Sequence, residues 1–187
     1  MFAGKTTELL REVDRAEIAG IQTVVFKPII DDRWGSVHSV RAHTGHEHEA
    51  IPVASSNDIL PLVNENIGLV AIEEAQFFDM GVLAVIEEML SRDIRVVAAG
   101  LPLDFRGEPF GPMPYILAYA DEITRLTAIC TYSDNGNICG EDATRTQRLV
   151  NGTPAHYTDP IILVGAEESY APRCPSHHIV PGHPRRR

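Results

Sequence analysis

Met1-Phe2-Ala3-Gly4-Lys5-Thr6-Thr7 opens the chain, and its Gly4-Lys5-Thr6 centre reads as the second half of a phosphate-binding loop that runs into a helix. The complete pattern is G-x-x-x-x-G-K-[ST] behind a buried strand. Neither the first glycine nor the strand precedes it here. Its chemistry is legible all the same: glycine lets the backbone approach a polyphosphate, successive N–H groups and the helix N-terminus supply positive potential, Lys5 reaches the outer phosphates, and the Thr6 hydroxyl can ligand Mg²⁺. An ordinary N-terminal turn and helix is the competing reading, and the tripeptide alone does not exclude it.

Working outward, apolar residues at Leu9, Leu10, Val13 and Ile18 predict a helix over residues 6–19 with Gly20 as its cap. A buried strand over 23–26 delivers Asp31, Asp32, Arg33 and Trp34 just past its carboxyl end, where α/β sheets bind ligands. Residues 35–58 are rich in Ser, His and Gly and read as a mobile surface segment. His38, His43, His46 and His48 fall there at spacings that match no metal site. A short helix is expected over 57–64.

The strand over 69–72 runs straight into Glu73-Glu74-Ala75-Gln76-Phe77-Phe78. In phosphate-loop enzymes an acid at that place orients Mg²⁺ or its waters, and a neighbouring carboxylate can act as a base; paired glutamates are also common at exposed helix starts. A helix over Val82–Ser91, a strand over 95–99, a helix over 113–120 and a strand over 122–129 follow. Gly100-Leu101-Pro102-Leu103-Asp104-Phe105-Arg106-Gly107 closes the third strand with turn formers. Strands alternating with helices imply a parallel sheet.

Composition changes at Cys130. From there to His178 the chain holds two Asn-Gly turns, at Asn135-Gly136 and Asn151-Gly152, and all three cysteines. Cys130 and Cys139 with Cys174-Pro-Ser-His177 offer four ligands for a closed tetrahedral zinc site, although the gap between the first two is longer than usual. Free buried thiols beside an unrelated histidine are the alternative. Residues 151–170 form a long excursion that a zinc-pinned segment would hold over something.

The whole chain has 187 residues, with 26 acidic against 16 basic side chains and a net charge of -10. That balance argues against nonspecific binding to nucleic acid, despite the basic tail Arg185-Arg186-Arg187. No segment approaches a membrane span, and Lys5, Glu8 and Arg11 interrupt any leader-like apolar run. A cytoplasmic protein with no membrane partner is therefore expected, its odd cysteine count suiting thiols or metal ligands better than disulfides.

Taken together, these blocks resemble type II thymidine kinases, the cytosolic zinc-containing family. The resemblance is carried by the run from Met1 to Leu10, Phe26-Lys27-Pro28 with Asp31-Asp32-Arg33, Glu73 to Phe78, Asp104-Phe105-Arg106-Gly107, Ala143-Thr144-Arg145-Thr146-Gln147-Arg148-Leu149, and Tyr170, Cys174 and His177. It implies an α/β fold: a RecA-like P-loop core with a mostly parallel sheet over residues 1–128, and a small zinc-containing lasso domain with the basic tail over 129–187. By the same resemblance Gly4, Lys5, Thr6, Thr7, Asp31 and Glu73 bind ATP and Mg²⁺. Glu74 is the base that takes the proton of the thymidine 5′-hydroxyl, and catalytic Arg33, with Lys5, flanks the transferring group. Met1, Phe77, Leu101, Phe105, Thr146 and Tyr170 line the nucleoside pocket, while backbone groups from Leu163 to Gly165 read the pyrimidine edge. Cys130, Cys139, Cys174 and His177 hold a structural Zn²⁺, Gln147 and Arg148 have supporting roles, and the family's homotetramers imply self-association.

The chain departs from the family pattern at three places. The opening strand and first loop glycine do not precede Met1, so a start upstream is expected, because an inner parallel strand cannot be removed without exposing two ladders. Glu73 stands where the family usually has Asp. Six extra residues, 132–137, separate the first two cysteines, and a hairpin turned by Asn135-Gly136 would point outward and leave Cys130 near Cys139. Two alternatives to an active ATP-dependent kinase for thymidine and deoxyuridine follow: a catalytically inactive nucleoside- or nucleotide-binding homologue, and a zinc-ribbon nucleic-acid module on an ATPase core, which the acidic charge disfavours.

Overall fold

The computed structural model describes residues 2–29, 38–42, 45–161 and 168–184. Met1, Asp31, Asp32, Arg33, Trp34, His43, Leu163, Gly165 and the tail Arg185 to Arg187 lie outside the described residues. The chain forms two compact units, one of Gly4–Pro102 with Phe110–Ile123, the other of Met1–Ala3, Leu103–Pro109 and Thr124–Arg187.

In the larger unit, helix α1 (Lys5–Ile18) starts at Gly4, whose φ of 78° is the left-handed conformation glycine adopts without strain. Its Leu9, Leu10, Val13 and Ala16 stripe is buried. Next come β1 (Gln22–Pro28), β2 (Ser39–Arg41), β3 (Glu47–Glu49), β4 (Ile51–Val53) and β5 (Ile67–Ile72), then α2 (Val82–Ser91), β6 (Arg95–Ala98) and α3 (Met113–Tyr119). Strands β4, β1, β5 and β6 make a parallel sheet in that order. Strand periodicity sorts the side chains to its two faces. Phe26, Val70 and Ile72 pack with Ile59, Val82, Val85 and Met89, whereas Val25, Leu69 and Ala71 pack on the α1 stripe.

Three local expectations give way. The stretch read as a mobile loop contains β2, β3 and β4, and β4 completes the sheet as an edge strand on which Pro52 stands opposite Lys27. An edge is where a sheet tolerates a residue that cannot donate to the ladder. The helix expected over 57–64 is instead two 3₁₀ turns, Ser56–Asp58 and Leu60–Leu62. Pro61 denies an α-helix the hydrogen bond it would need there. Of the strand expected over 122–129, only β7 (Ala128–Ile129) forms, because only these two residues find a ladder partner, while Ile123 and Leu126 stay exposed.

The β2–β3 hairpin is tied to α1 by histidines. His48 Nε2 lies 3.0 Å from Glu17 Oε1, and His46 Nε2 lies 3.6 Å from Asp14. Burial pushes the His48 pKa down, but the Glu49 carbonyl and the Glu17 carboxylate, with Asp14 beyond, outweigh it and leave the value above the ordinary 6.5. A raised folded value means stabilisation that is full below the ordinary pKa and lost as pH rises through the folded one. The melting temperature of the native protein relative to His48→Gln is therefore expected to fall between pH 6 and pH 8. A pH-independent difference would contradict this account.

The smaller unit is built from short antiparallel pieces. After β7 come β8 (Ser133–Asp134), β9 (Asn137–Ile138), β10 (Asp142–Ala143), β11 (Arg145–Val150), β12 (Thr153–Pro154) and β13 (Glu168–Arg173). Asn135 and Gly136 at φ 49° and 84° turn β8 into β9, and Asn151 and Gly152 at φ 50° and 77° turn β11 into β12. Both pairs are left-handed at two successive residues, as a tight hairpin turn requires. Among its described residues one buried apolar cluster joins Ala128, Cys130, Ala143 and Cys174, and Phe105 and Ala155 are buried outside it.

Polar side chains supply the remaining cohesion. Gln147 is buried; its Nε2 donates to the Ile179 carbonyl at 2.9 Å and its Oε1 accepts from the Ile179 N–H at 2.8 Å. Arg148, fully buried, donates to the Pro160 carbonyl and lies 5.0 Å over the Phe105 ring.

Candidate active site and metal centre

The carboxyl ends of β1, β5 and β6 point the same way, so the described residues that follow β5 and β6 gather at one edge of the parallel sheet. Lys5, Thr6 and Thr7 sit in the first turn of α1 behind the left-handed Gly4. The Thr6 hydroxyl donates to Glu73 Oε1 at 2.5 Å, across 67 residues of sequence. Glu73 is buried at the end of β5, and its own N–H donates to the Phe26 carbonyl at 2.9 Å. A hydroxyl and a carboxylate side by side at a helix start are the oxygen donors that Mg²⁺ takes, usually with waters and substrate phosphates completing its octahedron. The longer glutamate arm thus reaches the loop threonine.

Glu74 follows with φ 48° and ψ 44°, left-handed for a residue that has a Cβ. A side chain holds that conformation only where its surroundings enforce it. Here Ala75 N–H donates to the Ala99 carbonyl at 2.9 Å, and Gln76 Nε2 donates to Glu74 Oε2. The other end of the buried Gln76 amide accepts from the Leu101 N–H at 2.9 Å. Two glycines leave room for this fork. A Cβ on Gly100 would stand 2.7 Å from Gln76 Oε1, and one on Gly111, itself at φ 50°, would overlap the Gln76 carbonyl oxygen. Gly111→Ala is accordingly expected to cost about 3 kcal/mol through backbone strain and overpacking. Chemical denaturation showing a loss below about 1 kcal/mol would contradict it.

The residues expected around the nucleoside divide between the units. Phe77 and Leu101 belong to the larger one, where Phe77 meets Phe110 edge to face at 5.3 Å. Phe105, Thr146 and Tyr170 belong to the smaller one. There Phe105 is buried, with the guanidinium groups of Arg106 at 5.4 Å and Arg148 at 5.0 Å from its ring. Arg106 also donates to the Asp159 carbonyl at 2.8 Å, and His178 Nε2 donates to the Phe105 carbonyl at 2.8 Å. Burial lowers the His178 pKa, with Arg145 and His183 adding positive charge nearby. Tyr170 borders an apolar groove with Phe2, Ala128 and Pro172.

Sequence reading passed over Gln76 and Arg106. Both were visible as polar residues set among the aromatics of quoted motifs, but their partners, the Leu101 N–H and the Asp159 carbonyl, are backbone groups that no side-chain pattern announces.

Cys130, Cys139, Cys174 and His177 bring their ligand atoms within 4.8 Å of one another. The Cys139 and Cys174 sulfurs are 3.9 Å apart, and His177 Nδ1 lies 3.3 Å from Cys174 Sγ and 3.8 Å from Cys130 Sγ. Tetrahedral zinc with bonds of about 2.3 Å to sulfur sets neighbouring sulfurs about 3.8 Å apart, so the donor set fits that ion. Burial raises the Cys130 thiol pKa, but hydrogen bonds from the Cys174 and Tyr132 backbone and from the His177 and Cys174 side chains outweigh it and bring it down to about 6. The six extra residues do not separate the ligands. They form the β8–β9 hairpin, whose base is closed by Cys139 N–H to the Tyr132 carbonyl at 2.8 Å and Gly140 N–H to the Cys130 carbonyl at 3.2 Å. Tyr132 stacks on the His177 ring at 4.1 Å and shields that ligand.

A parallel α/β sheet with a Gly-Lys-Thr helix start against an acidic pair, in one chain with a Cys₃His cluster, is the architecture of a phosphate-loop protein that carries a metal-type staple. Comparison with family models narrows the class. The thymidine kinase model matches residues 1–178, and the chain belongs to the thymidine kinase family, phosphotransferases for which thymidine is the acceptor. No helix among the described residues is long and apolar enough to cross a membrane.

Proposed function

We propose that the chain transfers the γ-phosphoryl group of ATP to the 5′-hydroxyl of thymidine, with deoxyuridine as a second acceptor, in the salvage of pyrimidine deoxynucleosides. The observation that carries this reading is the Thr6 hydroxyl resting on Glu73 at 2.5 Å, with Glu74 as the next residue. Bound Mg²⁺ would neutralise phosphate charge and fix the leaving group. Thr6 and Glu73 are the residues to hold it, Asp31 standing near by resemblance.

Gly4, Lys5 and Thr7 cradle the phosphates through backbone N–H groups, with the Lys5 ammonium balancing the charge that spreads over the transferring group. Glu74 accepts the proton of the 5′-hydroxyl as the new O–P bond forms and the bond to the ADP oxygen breaks, and Arg33 flanks the same group. Phosphoryl transfer gains mainly from alignment and charge neutralisation, so a base of modest strength suffices. Phe77, Leu101, Phe105, Thr146, Tyr170 and Met1 provide the nucleoside walls, and the backbone of Leu163 to Gly165 reads the pyrimidine edge. Aromatic walls give stacking area, while main-chain groups select ring shape. The reading includes a cytoplasmic location, a structural zinc and a homotetramer, the last open to light scattering.

Transfer of labelled phosphate from ATP to thymidine, dependent on Mg²⁺, is the test. Thymidine binding without turnover would replace this reading with the inactive binding homologue.

A further inference from the structure

We propose that Gln76 is a positioning residue that locks the Glu74 carboxylate and the backbone of Leu101 into one unit, so that base and nucleoside wall are held by a single side chain. The inference rests on the proposed roles of Glu74 and Leu101. Its geometry lies wholly within the larger unit.

The orientation of the Gln76 amide follows from chemistry. The Leu101 N–H, 2.9 Å away, can only donate, so it must meet Oε1. Nε2 then faces Glu74, and a carboxylate, acceptor-only when ionised, receives it. Glutamine is the side chain of this length that presents an acceptor to one neighbour and a donor to the other. A glutamate would keep the first bond and oppose the second; a methionine would lose both.

Burial and two hydrogen bonds hold the amide in this arrangement. Gln76 is 2 % exposed, its Oε1 accepts from Leu101 N–H and its Nε2 donates to Glu74, and only the missing Cβ of Gly100 leaves room for its oxygen. Glu74 is half-buried and pinned in a left-handed backbone conformation, so its remaining freedom is about the side-chain torsions, which the Nε2 bond removes. A catalytic group fixed in this manner needs no reorganisation when substrate arrives. The link is also bidirectional. A nucleoside that shifts the backbone at Leu101 pulls on the amide that aims Glu74.

Two variants separate the ends of the fork. Gln76→Glu retains the acceptor for Leu101, so kcat is expected to fall about 10-fold or more with the thymidine KM near the native value. Gln76→Met removes both bonds, so kcat falls and the thymidine KM rises. A Gln76→Glu kcat within about twofold of native, or a kcat loss matched by an equal KM rise and a lower melting temperature, would overturn the proposal.

A second measurement is independent of turnover. The Gln76 side-chain NH₂ resonances, identified by their loss in Gln76→Glu, should move when Glu74→Gln replaces the carboxylate they bond; resonances that stay fixed would equally overturn it. The two readings fail separately. Native kcat in Glu74→Gln with responsive Gln76 resonances removes the base and keeps the clamp, whereas an inactive Glu74→Gln beside a native-like Gln76→Glu does the reverse.

Discussion

Glu74→Gln is expected to lower kcat by about 100-fold or more while leaving the thymidine KM within about twofold of native. The substitution preserves size and one acceptor oxygen but removes the charge proposed to take the 5′-hydroxyl proton. Its neighbours argue that the fold will tolerate it. The left-handed turn at Glu74 is set by Ala75 bonding to the Ala99 carbonyl, and the Gln76 fork remains attached to Leu101. A loss confined to kcat would mark an interaction made in the transition state, whereas activity near native would remove Glu74 from the chemistry. Glu73→Gln makes a useful contrast. Glu73 receives the Thr6 hydroxyl, so that variant should respond to added Mg²⁺, which Glu74→Gln should not.

Cys174→Ser should release zinc and unfold the smaller unit. Apparent zinc affinities of about 10–16 kcal/mol in small Cys/His sites make a bound ion a large stabilising contribution to such a unit. Among the described residues of that unit, the buried apolar cluster joins two alanines to two of the ligand cysteines themselves. Cys174 is also the ligand that both His177 and Cys139 approach, at 3.3 and 3.9 Å. Metal analysis should find less than one equivalent per chain, and limited proteolysis should cut within residues 128–178. Unchanged metal content would sink the zinc assignment.

How much of this was legible in the sequence depended on whether the responsible interactions are local. Helix α2 was readable to the residue because an apolar stripe repeats at helical spacing, and the two Asn-Gly hairpins because only a few residues tolerate two consecutive left-handed conformations. The four candidate metal ligands were readable as a set, although their proximity depended on a hairpin closing across the extra residues. Strand β4 was hidden because three residues with a central proline carry no periodicity, and its place in the sheet comes from pairing with β1. The strand over 122–129 was over-read for the opposite reason: β-branched residues and alternation were present, yet Ile123 and Leu126 have no surface to bury against among the described residues. The place of Gln76 was not legible, because its partner is a backbone N–H 25 residues away.

The β8–β9 hairpin invites use as an attachment point. Its two strands are closed at the base by the backbone bonds of Cys139 and Gly140, and its tip at Asn135-Gly136 is exposed. Lengthening a loop whose ends are already fixed costs only about 0.6 kcal/mol for each doubling. A peptide tag or fluorophore-binding sequence grafted between Asn135 and Gly136 would therefore ride outside the metal cluster, reporting on the smaller unit while the ligands keep their spacing.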